Sequence, residues 1–266
     1  MPSRKHHLWK EKNVSIVVAY KYAANPQDAL VKPDGEVDWS RVKPALSDYD
    51  PVAITVGRSL ADALDTTLVG ISVGGESVAS SMAKKTALSR GLDSALVVAD
   101  AATASWNASK TASALAELVG KVSDVKLVIT GDSSIDEGSR ITSALIAGYL
   151  GWPCFQDVCA VEPAGAGYRV SQIVAGGVKV LEVSTPAVLA MSSDAAAVKP
   201  PAMREVLAAN KKPLEVVPVS DLNIVSVEQE IVGSSKPESR MRKQKIFSGE
   251  NAASELIAAL YSENVL

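Results

Sequence analysis

Four short apolar runs recur along the first half of the chain, each separated from the next by a stretch with helical spacing. They are residues 14–20 (VSIVVAY), 67–73 (TLVGISV), 95–99 (ALVVA) and 126–130 (KLVIT). β-Branched residues are frequent in them, and their length suits buried strands. Between the first two, Asp50 and Pro51 read as an N-cap and a first-turn proline. Val52, Val56 and Leu60, with Ala53 and Ala63, then form an apolar stripe. A tight turn at Gly74 and Gly75 leads into a small-residue helix that starts at Glu76 and ends at Gly91. A further helix over residues 111–119 turns Leu115 and Val119 inward. This alternation, with short connections, predicts an α/β fold: a mostly parallel sheet, helices on both faces and right-handed crossovers.

The most informative stretch is residues 126–153, KLVITGDSSIDEGSRITSALIAGYLGWP. Its strand runs into a turn cluster, Gly131-Asp132-Ser133-Ser134. Asp136 reads as the N-cap of the next helix, and Glu137 adds negative charge to its first turn. Ile141, Leu145 and Tyr149 then share one helix face, and Gly151 and Pro153 end it. A strand that passes through a small-residue loop into a helix N-terminus offers unpaired N–H groups to an anion. In an open α/β sheet such loops lie at the carboxyl edge of the strands, where ligands bind.

Residues 23–51 form a long polar connection with a turn at Pro33-Asp34-Gly35 that suits a hairpin. After Pro153 the pattern changes. Residues 168–174, 178–184 and 186–191 read as strands with little helix between them, punctuated by Gly165, Gly167, Gly176 and Gly177. They form either a local antiparallel portion or an extension of the sheet. A short helix over residues 203–210 and a strand over residues 214–219 follow. Residues 233–248 have no apolar period and hold Arg240, Arg242, Lys243 and Lys245. Residues 250–266 read as a helix with Leu256, Ile257, Leu260 and Tyr261 on its apolar face. The expected organisation is an N-terminal extension, residues 1–13; an α/β domain, residues 14–232; and a C-terminal arm, residues 233–266, whose helix docks on a partner subunit.

Several chemistries are excluded by what the sequence lacks. Both histidines, His6 and His7, lie in the extension, so Ser133 in its GDS block has no imidazole base in the folded part. Neither G-x-x-x-x-G-K-[ST] nor G-x-G-x-x-G occurs, and no His/Cys/carboxylate group has metal spacing. Capping explains Asp136 and Glu137 better than acid–base catalysis does. Cys154 and Cys159, the only cysteines, read as reduced thiols. A net charge of −3 and few aromatics argue against nucleic acid. No run is long and apolar enough for a membrane span, and the extension lacks the apolar core of a signal peptide, so a cytoplasmic protein is expected. These features point away from a self-contained enzyme and toward a non-catalytic role.

Several of these stretches together resemble the β subunit of electron transfer flavoproteins, most closely its Fix-type branch. The resemblance covers about residues 14–221. It is carried by VVAYK at 17–21, KPDGEVDWSRVKPALSDYDPVAI at 32–54, SVGG at 72–75, LSRG-x-D at 88–93, TGDSSID at 130–136 and KKPLEV at 211–216. It implies an α/β domain of the adenine-nucleotide-binding type, with a small β-rich portion and a C-terminal arm. It also implies an electron-carrier subunit that binds AMP or FAD and forms a heterodimer with a flavin-bearing α subunit. A flavin dehydrogenase or quinone oxidoreductase would be the redox partner. Carried over by motif, the nucleotide site comprises Ala19; Ser47, Asp48, Tyr49 and Asp50; Val73; and Thr130, Gly131, Asp132, Ser133, Ser134, Asp136, Gly138, Ser139, Arg140, Ile141 and Thr142. Within it, backbone N–H groups would hold the phosphate and Arg140 would face it.

The chain also departs from the family. In the phosphate loop Thr142 matches, but the usual amide side chains and a glycine (here Ser143) are missing. The family's basic residue, Asp-Gly-Gly and Glu signature is replaced by residues 172–179, QIVAGGVK. These changes motivate a second expectation, a structural subunit of such a complex with a degenerate, empty nucleotide pocket.

Overall fold

The structure, a computed structural model, describes residues 15–225, 227–229, 232 and 244–266. The chain divides into two compact units, Met1–Gln229 and Glu230–Leu266. In the first unit the strands are β1 (Ser15–Ala19), β2 (Tyr22–Ala24), β3 (Leu30–Val31), β4 (Val37–Asp38), β5 (Pro44–Leu46), β6 (Thr67–Gly74), β7 (Ser94–Ala99), β8 (Val125–Gly131), β9 (Cys154–Ala164), β10 (Gly167–Val174), β11 (Gly177–Val183), β12 (Ala187–Met191) and β13 (Leu214–Val216). Its helices are α1 (Asp50–Ala63), α2 (Ser81–Leu88), α3 (Ala108–Gly120), α4 (Thr142–Leu150) and α5 (Met203–Ala209).

Nine strands form one sheet in the order β11-β10-β9-β12-β8-β1-β6-β7-β13. From β9 to β13 every neighbouring pair is parallel. Only β9–β10 and β10–β11 are antiparallel. The α/β reading therefore holds, and the β-rich portion after Pro153 extends the main sheet. Alternation along each central strand explains why both faces are covered. Ile16 and Val18 face α1 and α2, packed with Val52, Ile54, Leu60 and Leu88. Val17 faces α3 and α4, packed with Leu115, Leu118 and Ile146. A strand buried on both sides has no polar face, which is why these runs read as continuous apolar stretches.

Several boundaries differ from the sequence reading, each for a local reason. β9 was not anticipated, because its residues, CFQDVCAVEPA, mix polar and apolar groups and are half-exposed along most of their length. The helix expected from Glu76 is a 3-10 turn, Glu76–Ala79, followed by α2. Ser80 caps α2, its Oγ accepting from the Ala83 N–H at 3.1 Å. The 214–219 strand stops at Val216, and Val219–Asp221 is another 3-10 turn. The turn at Pro33-Asp34-Gly35 does close a hairpin, β3 with β4, and Gly35 takes φ +90° there. Cys154 and Cys159 are free thiols.

The second unit contains α6 (Ala252–Ser262), shorter than the expected 250–266 helix, and an ion pair between Lys245 and Glu263 at 3.2 Å. Leu256, Ile257 and Tyr261 on α6 are exposed. The N-terminal extension and residues 233–243, with Arg240, Arg242 and Lys243, lie outside the described residues. Among the described residues no helix is long and apolar enough to cross a membrane.

Candidate functional site

The strand order reverses beside β1. From β1 the chain moves outward to β6 and β7, then returns to place β8 on the other side of β1. α1 lies on one face and α3 and α4 on the other. At such a switch point the loops leaving adjacent strands diverge to opposite faces and leave a crevice at the carboxyl edge. Ala19 ends β1 and pairs in register with Ile71 of β6 and Thr130 of β8. Val73 lies two residues further along β6. The residues carried over by motif thus lie along this edge: Ala19, Val73, the segment Ser47 to Asp50 leading into α1, and the loop from Thr130 to Thr142.

Asp50 ties three of these pieces together. It is buried, its Oδ2 accepts from the Lys21 N–H at 2.6 Å, and it accepts from the Gly131 N–H. It was expected to cap α1. Instead Tyr49 is the N-cap residue, without a side-chain bond, and Asp50 sits in the first turn. The strand-end N–H groups of Lys21 and Gly131 take its carboxylate. Burial pushes the Asp50 carboxyl up to about 8, although both N–H groups and the Lys21 ammonium oppose the shift and Asp136 adds to it. Gly131 is needed for close approach. A Cβ there would stand 2.7 Å from Tyr49 Cβ and 3.1 Å from both Tyr49 C and Asp50 Oδ1.

The loop after Gly131 is longer than the sequence suggested. α4 begins at Thr142, so Asp136 does not cap it; Ile141 is the N-cap residue and has no side-chain bond. Two features stop the helix from starting at Asp136. Gly138 and Arg140 both take positive φ, +61° and +56°, which no α-helix contains. The Asp136 carboxylate is also engaged elsewhere, with Oδ2 2.6 Å from Lys21 Nζ, while Glu137 Oε1 lies 3.6 Å from the same ammonium. Burial raises the Asp136 carboxyl, but hydrogen bonds to Lys21 and Ser134 outweigh it and hold the group below the usual carboxylate range.

Arg140 does not stand free. Its Nη2 lies 3.2 Å from Asp132 Oδ2 and pairs with Asp157 Oδ1. Asp157 reaches it from a bulge in β9, where the register shifts and Asp157 itself takes φ +54°. Gln156 from the same bulge donates to the Arg140 carbonyl at 2.9 Å and to Ser143 Oγ at 3.3 Å. Burial raises the Asp132 carboxyl above its ordinary value. Arg140 opposes that, and Asp157 and Asp194 reinforce it. Lys21, Gln156, Asp157 and Asp194 were missed as site residues. Lys21 directly follows the first strand and could have been included. The others are brought in by β9, which was not foreseen, and by the segment after β12.

The first-turn N–H groups of α4 have no intrahelical acceptor and no side-chain cap, which suits a phosphate oxygen. Ser47 Oγ, Asp132 Oδ1 and Asp136 Oδ1 are buried without a hydrogen-bond partner. These three atoms have almost no accessible surface, so the uncapped start of α4 is what the arrangement offers to an anion. Among the described residues no cluster of His, Cys, Asp or Glu could hold a metal ion. The sequence pattern of the electron transfer flavoprotein domain matches residues 36–222, well over half of the chain, and the chain belongs to that family.

Proposed function

We propose that this chain is the β-type subunit of an electron transfer flavoprotein of the Fix-type branch. In this reading it binds AMP or FAD in the crevice between β1 and β8, through the seventeen motif-derived residues together with Lys21. It forms a heterodimer with a flavin-bearing α subunit and serves a flavin dehydrogenase or quinone oxidoreductase. FAD, when bound, supplies the one- and two-electron chemistry, and this chain supplies position and electrostatics. The observation that carries the reading is the coincidence of the family match with an uncapped helix start beside the reversal of strand order. A spectrum of the purified chain, alone and with its α partner, tests it. Flavin absorbance from the chain alone identifies FAD, and a colourless chain that releases AMP on denaturation identifies AMP.

A second reading, a structural subunit with a degenerate pocket, is favoured by one feature. Both cations at the crevice are already engaged, Lys21 by Asp136 and Glu137, and Arg140 by Asp132 and Asp157. Titrations that show no binding of either nucleotide to protein stripped of ligand would establish it.

A further inference from the structure

The segment that follows β13 runs along α3 and is held there by its backbone. Glu117 Oε2 accepts from the Asn223 N–H at 3.2 Å, Ser113 Oγ from the Val225 N–H at 2.9 Å, and Ser109 Oγ from the Val227 N–H at 3.3 Å. Asn107 Nδ2 donates to the Val227 carbonyl at 2.8 Å, while its Oδ1 caps α3 by accepting from the Lys110 N–H, also at 2.8 Å. The spacings match. Acceptors four residues apart on a helix are separated by about 6 Å. Alternate residues of an extended chain are separated by about 6.6 Å. A helix carrying short acceptors at that interval can therefore bind every second N–H of a strand laid along it.

Two further observations set the character of this contact. Ser109 and Ser113 are buried, whereas the Val225 and Val227 side chains are 58% and 66% exposed. At Val225 and Val227 the helix thus recognises backbone and leaves the side chains in solvent. A cavity of about 600 Å³, lined in part by Ser113, Glu117, Tyr149, Asn223 and Val225, runs beside the segment.

We propose that Asn107, Ser109, Ser113 and Glu117 form a track on α3 whose occupant is the chain's own backbone at Asn223, Val225 and Val227. The track fixes where the chain leaves the first unit for the arm, and the segment docks and releases as one piece. A pinned root shortens the tether of the arm and raises its effective concentration for a partner already in contact. That last consequence rests on the proposed pairing with an α subunit; the track itself does not.

Hydrogen exchange on the full chain tests the track. In wild type the amides of Asn223, Val225 and Val227 are protected. In Ser109→Ala/Ser113→Ala they exchange tenfold or more faster together, including Asn223, whose own acceptor is intact. Glu117→Ala, at the other end of the track, likewise accelerates Val227. Core amides of β1 and β8 report that both variants remain folded. Unchanged exchange at Val225 and Val227, or acceleration confined to the amides that lost their acceptor, overturns the proposal. Faster exchange with unaltered α-subunit affinity keeps the track and refutes only the pairing.

Discussion

Asp50 carries its carboxyl beneath two strand ends, where Lys21, Asp136 and Tyr20 are the charged or titratable groups that act on it. Its folded value, about 8, lies well above the ordinary aspartate value. Between the two, the folded chain binds a proton that the unfolded chain has released. This contribution to stability is therefore greatest in acid and is lost as pH rises through the folded value, a difference on the order of a few kcal/mol. Asp50→Asn has no such proton. Urea unfolding at a series of pH values from mildly acidic to mildly alkaline should show wild type weakening with rising pH more steeply than the variant; parallel curves would contradict the buried neutral carboxyl. Arg140 makes a different case. Its side chain and that of Asp157 are both about half exposed, so the pair contributes about 1 kcal/mol or less to folding. Under the proposed function its larger role is at the ligand: a phosphate at the α4 N-terminus would compete with Asp157 for the guanidinium, and a charge-assisted bond there would be worth roughly 1.5–3 kcal/mol. Arg140→Ala should lower AMP or FAD affinity about tenfold or more, and Asp157→Asn should raise it, with little change in either melting temperature. Equal affinities in titrations of the three proteins would leave Arg140 a loop tie and nothing more.

At the scale of elements, β8 and α1 meet closely at Gly131. Gly131→Ala drives a Cβ against the start of α1, where Tyr49 Cβ at 2.7 Å and Tyr49 C at 3.1 Å adjoin or belong to the backbone and Asp50 Oδ1 stands at 3.1 Å. The Tyr49 atoms cannot rotate aside, so the expected cost is about 1–3 kcal/mol, the range for overpacking. Gly148 is the internal control: it lies within α4, and a Cβ there meets nothing within 4 Å. Gly148→Ala should gain up to ~1 kcal/mol. Denaturation midpoints moving in opposite directions are the expected result, and a neutral Gly131→Ala would show that α1 can retreat. The same elements show what could be read from residues alone. β1, β6, β7 and β8 were legible because both of their faces are apolar, and α1 and α3 because their stripes are regular. β9 was not, because a bulged, half-exposed strand has neither alternation nor an apolar run. The start of α4 was misplaced because Asp136 satisfies every local rule for an N-cap, whereas the positive φ of Gly138 and Arg140 interrupts the helix and the tertiary approach of Lys21 withdraws the Asp136 carboxylate. The residues expected at the nucleotide site lie along one sheet edge, since they follow strand ends. Asp157 was not foreseen, since only the bulge in β9 brings it to Arg140.

For the molecule as a whole, the division between the two compact units bears on assembly. The core of the first unit draws on residues from Ile16 to Leu222, and the central strands of its sheet are covered on both faces by its own helices. α6 of the second unit buries none of its residues, and Leu256, Ile257 and Tyr261 stand at 46%, 51% and 62% exposure. Eleven residues are marginal for a helix in water unless its apolar face is covered. Obligate subunit interfaces bury roughly 2,000 Å² or more and are apolar at their centre, which an amphipathic helix on an arm can help to supply. We therefore expect that deleting residues 234–266 abolishes co-purification with an α subunit while leaving the melting temperature of the first unit unchanged. The two readouts separate the explanations. Lost association with an intact melt assigns the arm to the partner, whereas a lowered melt would make it a brace for its own domain. Association that survives the deletion would place the subunit contact on the first unit instead, where the exposed Ile173, Val178 and Val180 of the β10–β11 hairpin are the apolar side chains to substitute next.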